Sequence, residues 1–273
     1  YYGDQLGGKK QNLDNIKAGV FEASKVCWAY HAGKNKAMTV LNLPFLPIKN
    51  FDMQRKVAQT IHENPVAAGE IKKKWNVFAF SSSNLPQYEF LGRGKPPKKL
   101  EDYKGMTVRA LGGMAGAMRA LGASIATMTA TEVYQAIDRG AADAVSFPST
   151  YAHSAYKIDE VATWFTSNMS PGTNDCPNVI SLTAWGKLPE QYKKLMYQAR
   201  EKGYAALKAA YSAKDKVNLP KWRKKLTEIK YSDAELARFQ AVGGQPVYDK
   251  WVAKHKGEFD AQGLLDAVLA AAK

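Results

Sequence analysis

The stretch after Pro189 constrains the fold most. Tyr192, Leu195, Met196, Ala199, Gly203, Ala206, Leu207 and Ala210 recur at the spacing of one helix face until near Pro220. At ~1.5 Å per residue this predicts a single helix of roughly 40 Å, longer than a small domain needs. A helix of that length is expected to span two packed lobes. The 273 residues allow it, being enough for one large domain or two modest ones. With 45% hydrophobic and 23% charged residues the composition is that of an ordinary globular protein. No run approaches ~18 uninterrupted apolar residues, the least a membrane span needs.

Ahead of that helix, strand-like and helical segments alternate. Residues 1–8 read as a strand end running into a glycine turn, followed by a helix carrying Leu13, Ile16 and Val20. Residues 26–30 and 38–43 are apolar runs of strand character, the second closed by Pro44 and Pro47. Residues 54–74 have helical period interrupted at Pro65, which predicts two helices. Further short strands are expected at 76–80, ending in Ser81-Ser82-Ser83-Asn84, and at 106–110, with a helix over 114–121. Thr129 and Glu132 have the spacing of a capping box, opening a helix through Val133 and Ile137 that stops at Gly140. Residues 142–147 form the next strand, ended by Pro148. A strand-like 229–231, a second capping box at Ser232 and Glu235, and two more helices finish the chain. Such alternation predicts α/β architecture with a largely parallel sheet.

The chemistry on offer is sparse. Thirty-nine Lys and Arg against 25 Asp and Glu give a formal charge of +14, which points to an anionic partner. The basic residues are spread along the chain, and the runs at 72–74 and 223–225 lack any nucleic-acid motif, so no nucleic acid is expected. His31, His62, His153 and His255 have no second ligand at metal-binding spacing, so no metal is expected. Neither a nucleophile elbow nor a phosphate loop is present; residues 92–95 lead into Pro96 without the spacing of a phosphate cradle. Catalytic residues and cofactors are therefore not expected. Gly112-Gly113 before a helix would suit an anion, though tight packing accounts for it equally well. Cys27 and Cys176 can pair or stay free, and two cysteines exclude a mini-protein built on disulfides. Arg109 differs from its surroundings: it ends an apolar strand, where open α/β sheets bind ligands, and offers a rigid fork of donors suited to a carboxylate. An edge-strand arginine or an internal salt bridge would account for it too.

Residues 100–109 (LEDYKGMTVR), 120–124 (ALGAS), and the series from Met128 through TEVYQAIDRG to Ala142-Asp143-Ala144 form an ordered set. It resembles the solute-binding proteins of tripartite ATP-independent periplasmic (TRAP) transporters, with Gln5-Leu6-Gly7 and Leu43-Pro44-Phe45 matching two shorter family patterns over nearly the whole chain. The resemblance implies a two-lobed periplasmic binding protein fold (class II-like), with a ligand cleft between the lobes and a long helix across both. Residues 1–106 and 176–229 would form the first lobe, and 107–175 and 230–273 the second. It places Arg109 on the arginine that holds the ligand carboxylate. It also implies a periplasmic monomer, exported by a leader this chain does not carry, that delivers a small organic acid to the small and large membrane subunits of the permease.

The chain departs from the pattern in places. It begins inside what should be a later strand, so an upstream strand–helix unit is expected to be missing. Ala144 replaces a glycine, and Phe147 stands where sialic-acid binders carry an asparagine. An aromatic face there argues against a sugar acid. Phe45, Phe80, Met114, Phe147 and Tyr151 would line an apolar pocket with Gly113, Ser81, Ser82 and Asn178, which favours an aromatic or apolar carboxylate. Alternatives are a small keto or hydroxy acid or a C4-dicarboxylate. Of another class is an α/β enzyme acting on a carboxylate, for which no acid–base pair facing Arg109 can be named.

Overall fold

Short strands in two sheets organise the chain. The computed structural model describes residues 5–83 and 85–273, so the strand end expected at 1–4 and Asn84 of the expected loop lie outside them. In chain order the described strands are β1 (Ala23–Lys25), β2 (Val77–Ser81), β3 (Tyr88–Gly92), β4 (Thr107–Arg109), β5 (Ser124–Ala126), β6 (Ala144–Pro148), β7 (Trp164–Thr166), β8 (Asn178–Ser181) and β9 (Thr227–Ile229). They form two sheets, of order β1-β8-β2 and β5-β4-β6-β3-β7-β9.

The parallel sheet expected from alternation is present only in part. β4 runs parallel to β5 and β6, and β7 to β9, but β3 is antiparallel to both its neighbours. The small sheet is antiparallel throughout. Its middle strand β8 follows β7 of the larger sheet in the chain, a crossing between sheets that no local pattern encodes. β3 and β6 are buried at every position, so they carry no polar–apolar alternation to announce them. The apolar runs at 26–30 and 38–43 are not strands. Strand β1 precedes the first, and Trp28–His31 and Ala37–Asn42 are 3-10 turns whose apolar side chains enter the first core. Short apolar runs fit either state, and here packing decides.

Helix signals fare better. Asn50 accepts the Met53 N–H at 2.9 Å to start Phe51–Glu63, and Asn64 accepts the Val66 N–H at 2.9 Å to start Pro65–Trp75, with Pro65 in the first turn. Glu132 accepts the Thr129 N–H at 2.6 Å as expected, but the box opens a 3-10 turn (Ala130–Glu132) that runs on into Val133–Asp138. Gly140, at φ 72°, ends it. Three helices follow Ser232, at Asp233–Gly243, Gln245–His255 and Ala261–Ala271.

Three core clusters divide the molecule into two lobes. One joins the helices around β2 and β8 with Tyr248, Leu264, Leu265 and Val268 of the last two helices. The other two cover opposite faces of the six-stranded sheet. Sheet membership therefore departs from the expected boundaries. Residues 88–92 and 227–229, expected in the first lobe, pair in the second lobe's sheet, and the last two helices, expected in the second, pack on the first core. A chain that crosses between lobes several times leaves no change of composition at each crossing.

The long helix runs from Glu190 to Lys225, past Pro220. On the first lobe Arg200 donates to the Phe80 carbonyl at 3.1 Å, and the Ser82 N–H donates to the Tyr204 hydroxyl at 3.0 Å. On the second lobe Asp215 accepts from Thr150 N–H at 2.8 Å and its hydroxyl at 2.9 Å, and Trp222 donates to Asp159 at 3.0 Å. It braces both lobes, as its length required. Pro220 sits in the last two turns, where Trp222 is buried to 1% exposure, so tertiary packing outweighs the lost helical bond.

Cys27 and Cys176 are bonded, across 149 residues of sequence. Beside the bridge, buried Asp175 accepts from Trp28 Nε1 at 2.9 Å and Ser82 Oγ at 2.6 Å, and pairs with His62 Nε2 at 2.6 Å. In the chain-entropy model closing so long a loop is worth roughly 5 kcal/mol, against measured values of about 2–5. Paired Cys27→Ser and Cys176→Ser substitutions should lower unfolding free energy by about 2–5 kcal/mol, read from the urea midpoint. An unchanged midpoint would show that the bridge adds nothing to the contacts around it.

Candidate ligand-binding site

A cavity of about 520 Å³ opens between the lobes. The first lobe contributes Asn12, Phe21, Lys25 and Tyr30; the second contributes Tyr88, Ala130, Phe147, Pro148, Tyr151 and Tyr156; the long helix adds Tyr211. The Cys27–Cys176 bridge forms part of the wall. Aromatic rings dominate this lining, and none of its described side chains is acidic. Lys9 and Lys25 add cationic groups, and the surrounding protein holds the Lys25 ammonium below the ordinary lysine value.

Phe147 is the hub. Its ring stacks on Tyr156 with centroids 5.3 Å apart and meets His153 edge-on at 5.5 Å. The Arg109 guanidinium lies over the same ring, 4.7 Å from its centroid. Register explains the meeting: Arg109 pairs with Val145, and alternation puts positions 145 and 147 on one face of the sheet. The ring therefore lies directly against the guanidinium.

Arg109 closes β4 as expected, yet only 1% of it is exposed. Nη1 donates to the Ser146 carbonyl at 2.9 Å and Nη2 to the Met128 carbonyl at 3.1 Å. Nη2 also reaches the Tyr30 hydroxyl at 3.4 Å. Among the described residues no carboxylate lies within ion-pair distance of it, so the internal salt bridge allowed by the sequence does not form. The guanidinium sits just behind the lining, covered by Tyr30 and Phe147.

The other expected site residues divide. Tyr151 lines the cavity, half-open to solvent, and meets Tyr211 edge-on at 5.3 Å. Met114 is fully buried in the second lobe's core. Gly113 is a packing glycine: a Cβ there would come within 2.4 Å of Pro44. Phe45 packs edge-on against Phe239 at 4.8 Å. Phe80 belongs to a separate cluster with Phe78, Trp185 and Tyr197 under the long helix. Ser82 is spent on Asp175, while Ser81 accepts from Asn178 Nδ2 at 3.0 Å on the sheet edge. These seven do not line the cavity: a strand end marks a cleft in a sheet, but which strand ends face it depends on how the lobes cross.

Tyr30, Tyr88, Tyr156 and Tyr211 line it instead, and sequence reasoning missed all four. Their rings come from four separate stretches of chain and share no spacing. Burial pushes the Tyr88 and Tyr211 hydroxyls above the usual tyrosine value, keeping them neutral. Beneath Phe147, burial holds the His153 imidazole down to about 3, with Nε2 donating to the Glu89 carbonyl at 3.1 Å. Burial likewise holds His31 down to about 4. Glu89 is shifted upward by burial, although Thr166 and Ser170 donate to it.

Comparison with known proteins accords with this architecture. Residues 1–255 match the model of DctP, described as bacterial extracellular solute-binding protein, family 7. A monocarboxylate 2-oxoacid-binding periplasmic protein of Nostoc sp. is 26% identical over 208 residues, covering 74% of this chain and 56% of that protein. The chain thus spans little more than half the length of the curated relatives it matches. A TRAP periplasmic solute binding protein from Desulfovibrio salexigens, with bound orotic acid, superposes with TM-score 0.87 at 19% identity, covering 98% of this chain and 85% of that one. A TRAP solute binding protein from Rhodoferax ferrireducens, with copurified benzoate, gives 0.83 at 20% identity over 98% and 84%. These likenesses show the fold.

The buried histidines make a pH prediction. Their folded pKa values lie below the unfolded one near 6.5, so the unfolded chain binds more protons between those limits and acidification destabilises the fold. Each contributes about 1.4 kcal/mol per pH unit below 6.5, His31 down to about 4 and His153 down to about 3. Glu89 has the opposite sign, its shifted carboxyl favouring the fold as pH falls. Urea midpoints between pH 7 and pH 5 should therefore fall, and His153→Gln should flatten the decline by one proton's worth. A variant with the parent's slope would show that His153 protonates as freely folded as unfolded.

Proposed function

Because the chain belongs to the DctP family of bacterial extracellular solute-binding proteins, we propose that it is the periplasmic solute-binding subunit of a TRAP transporter, capturing an organic acid through Arg109. One observation carries the reading. A guanidinium with 1% exposure, held by two backbone carbonyls and an aromatic face, borders an aromatic cavity whose described lining has no acid of its own. A buried charge without a counter-charge is costly, and an incoming carboxylate removes that cost. The bridge in the cavity wall suits an oxidising compartment. Partners on this reading are the small and large membrane subunits of the permease, which recognise the lobes closed on ligand. The family is one of solute-binding proteins, which sets aside the enzyme alternative.

The ligand on this reading is a flat or apolar carboxylate whose body packs on Phe147, Tyr151, Tyr156 and Tyr211. The volume is ample for a one-ring acid, and copurified benzoate in the Rhodoferax protein supports the class. The 2-oxoacid named for the Nostoc relative supports a second reading, a small keto acid on the same arginine.

Calorimetric titration with benzoate, a phenylalkanoate, pyruvate, succinate and sialic acid separates them. Arg109→Ala should weaken the binding acid by about 2–5 kcal/mol, and Arg109→Lys should rescue poorly because it supplies a point charge in place of a fork. Parent-like affinity in Arg109→Ala would overturn the clamp. Phe147→Asn should weaken aromatic acids selectively by about 0.5–1.5 kcal/mol beyond lost area. Heat from pyruvate or succinate alone would reject the aromatic wall and keep the arginine.

A further inference from the structure

The hydroxyl of Tyr30 crosses the cleft. Tyr30 stands on the 3-10 turn Trp28–His31 of the first lobe, immediately after Cys27. Trp28 and His31 on either side are buried, with 0% and 1% exposure, so the turn is fixed and the ring is presented from a rigid base. The oxygen lies 3.1 Å from the Ala130 nitrogen and 3.4 Å from Arg109 Nη2, both in the second lobe, and accepts from each. Tyr30 and Ala130 both line the cavity. Two donors, one a backbone N–H and one a guanidinium N–H, therefore converge on a single acceptor position at the cavity wall.

We propose that this position is the seat of one carboxylate oxygen of the ligand, that the Ala130 N–H is its second donor, and that the Tyr30 phenol occupies the seat as a placeholder when no ligand is present. The inference rests on the reading of Arg109 as the carboxylate clamp. The geometry favours replacement. The contact to Arg109 is longer than the usual N–H···O range, and a neutral phenol oxygen is a weaker acceptor for a guanidinium than an ionised carboxylate. Ala130 opens the turn Ala130–Glu132, so its N–H has no helical acceptor and is free to serve an outside oxygen. The placeholder also links the lobes: it keeps the buried guanidinium and the turn N–H satisfied while the cleft is empty, and its displacement exchanges an interlobe hydrogen bond for ligand.

The test uses the whole chain with benzoate and pyruvate as probes, plus small-angle scattering without ligand. Tyr30→Phe removes only the hydroxyl. It should tighten the binding probe by about two- to tenfold, the fold-change that one hydrogen bond's net worth converts to. It should also raise the ligand-free radius of gyration, because the interlobe bond is gone. Ala130→Pro removes the N–H at a position that tolerates proline, after an extended Thr129 (φ −71°, ψ 162°), and should weaken the probe about tenfold or more. Weaker binding in Tyr30→Phe overturns the proposal, making the phenol a ligand donor; parent-like binding in Ala130→Pro overturns the seat. An unchanged ligand-free radius in Tyr30→Phe overturns the interlobe hold without any probe. Should neither probe bind the parent protein, the clamp reading fails on these acids while the scattering result still judges the placeholder.

Discussion

Among the described residues, a positive charge is buried with no carboxylate at ion-pair distance, and backbone carbonyls of the second lobe gather around it. Arg109 ends β4 in the middle region of a sheet buried on both faces. The neighbouring backbone turns two carbonyls toward it, from Ser146 on β6 and Met128 before the capped turn, and Phe147 offers its electron-rich face. Neutral dipoles of this kind hold a guanidinium in place without cancelling its charge. The attraction that remains is what the proposed carboxylate clamp would use.

The first lobe supplies rigidity in return. Asp175 gathers Trp28, His62 and Ser82 from three separate stretches, and the Cys27–Cys176 bridge lies beside it. Each of these groups is bonded and buried, so a polar knot adds to the apolar core of the first lobe beside the cavity wall. A partly satisfied knot would be worse than none. Here both carboxylate oxygens of Asp175 are used, Oδ1 by Ser82 and Oδ2 by Trp28 and His62.

How much of this was legible depended on whether the signal was local. Arg109 stood out because a charge at the end of an apolar strand conflicts with its neighbours, and such conflicts mark sites. The helix break at Pro65, the start at Ser232, the stop at Gly140 and the long helix were legible because caps, prolines and period reside in adjacent residues. β3, β7 and β8 were not. They are short, largely buried and defined by partners far away in the chain, Phe147 opposite Glu89 for example. The cavity lining suffered most. Phe147 and Tyr151 follow from their place near the end of β6 and just after it, but Tyr30, Tyr88, Tyr156 and Tyr211 meet only because the lobes cross. Met114 and Phe45 were misplaced for the same reason, since strand ends and helix starts look alike whether they face a cleft or a core.

The helix from Glu190 to Lys225 is clamped to one lobe near Arg200 and Tyr204 and to the other near Asp215 and Trp222. A rod gripped at two points cannot slide or spin; it can only flex between the grips. Any swing of one lobe toward the other must therefore be written as curvature in about three turns of helix, the stretch that carries Tyr211 into the cavity wall. Flexing moves that ring with the swing, so the stiffness of a helix on the outside of the molecule becomes a parameter of affinity on the inside.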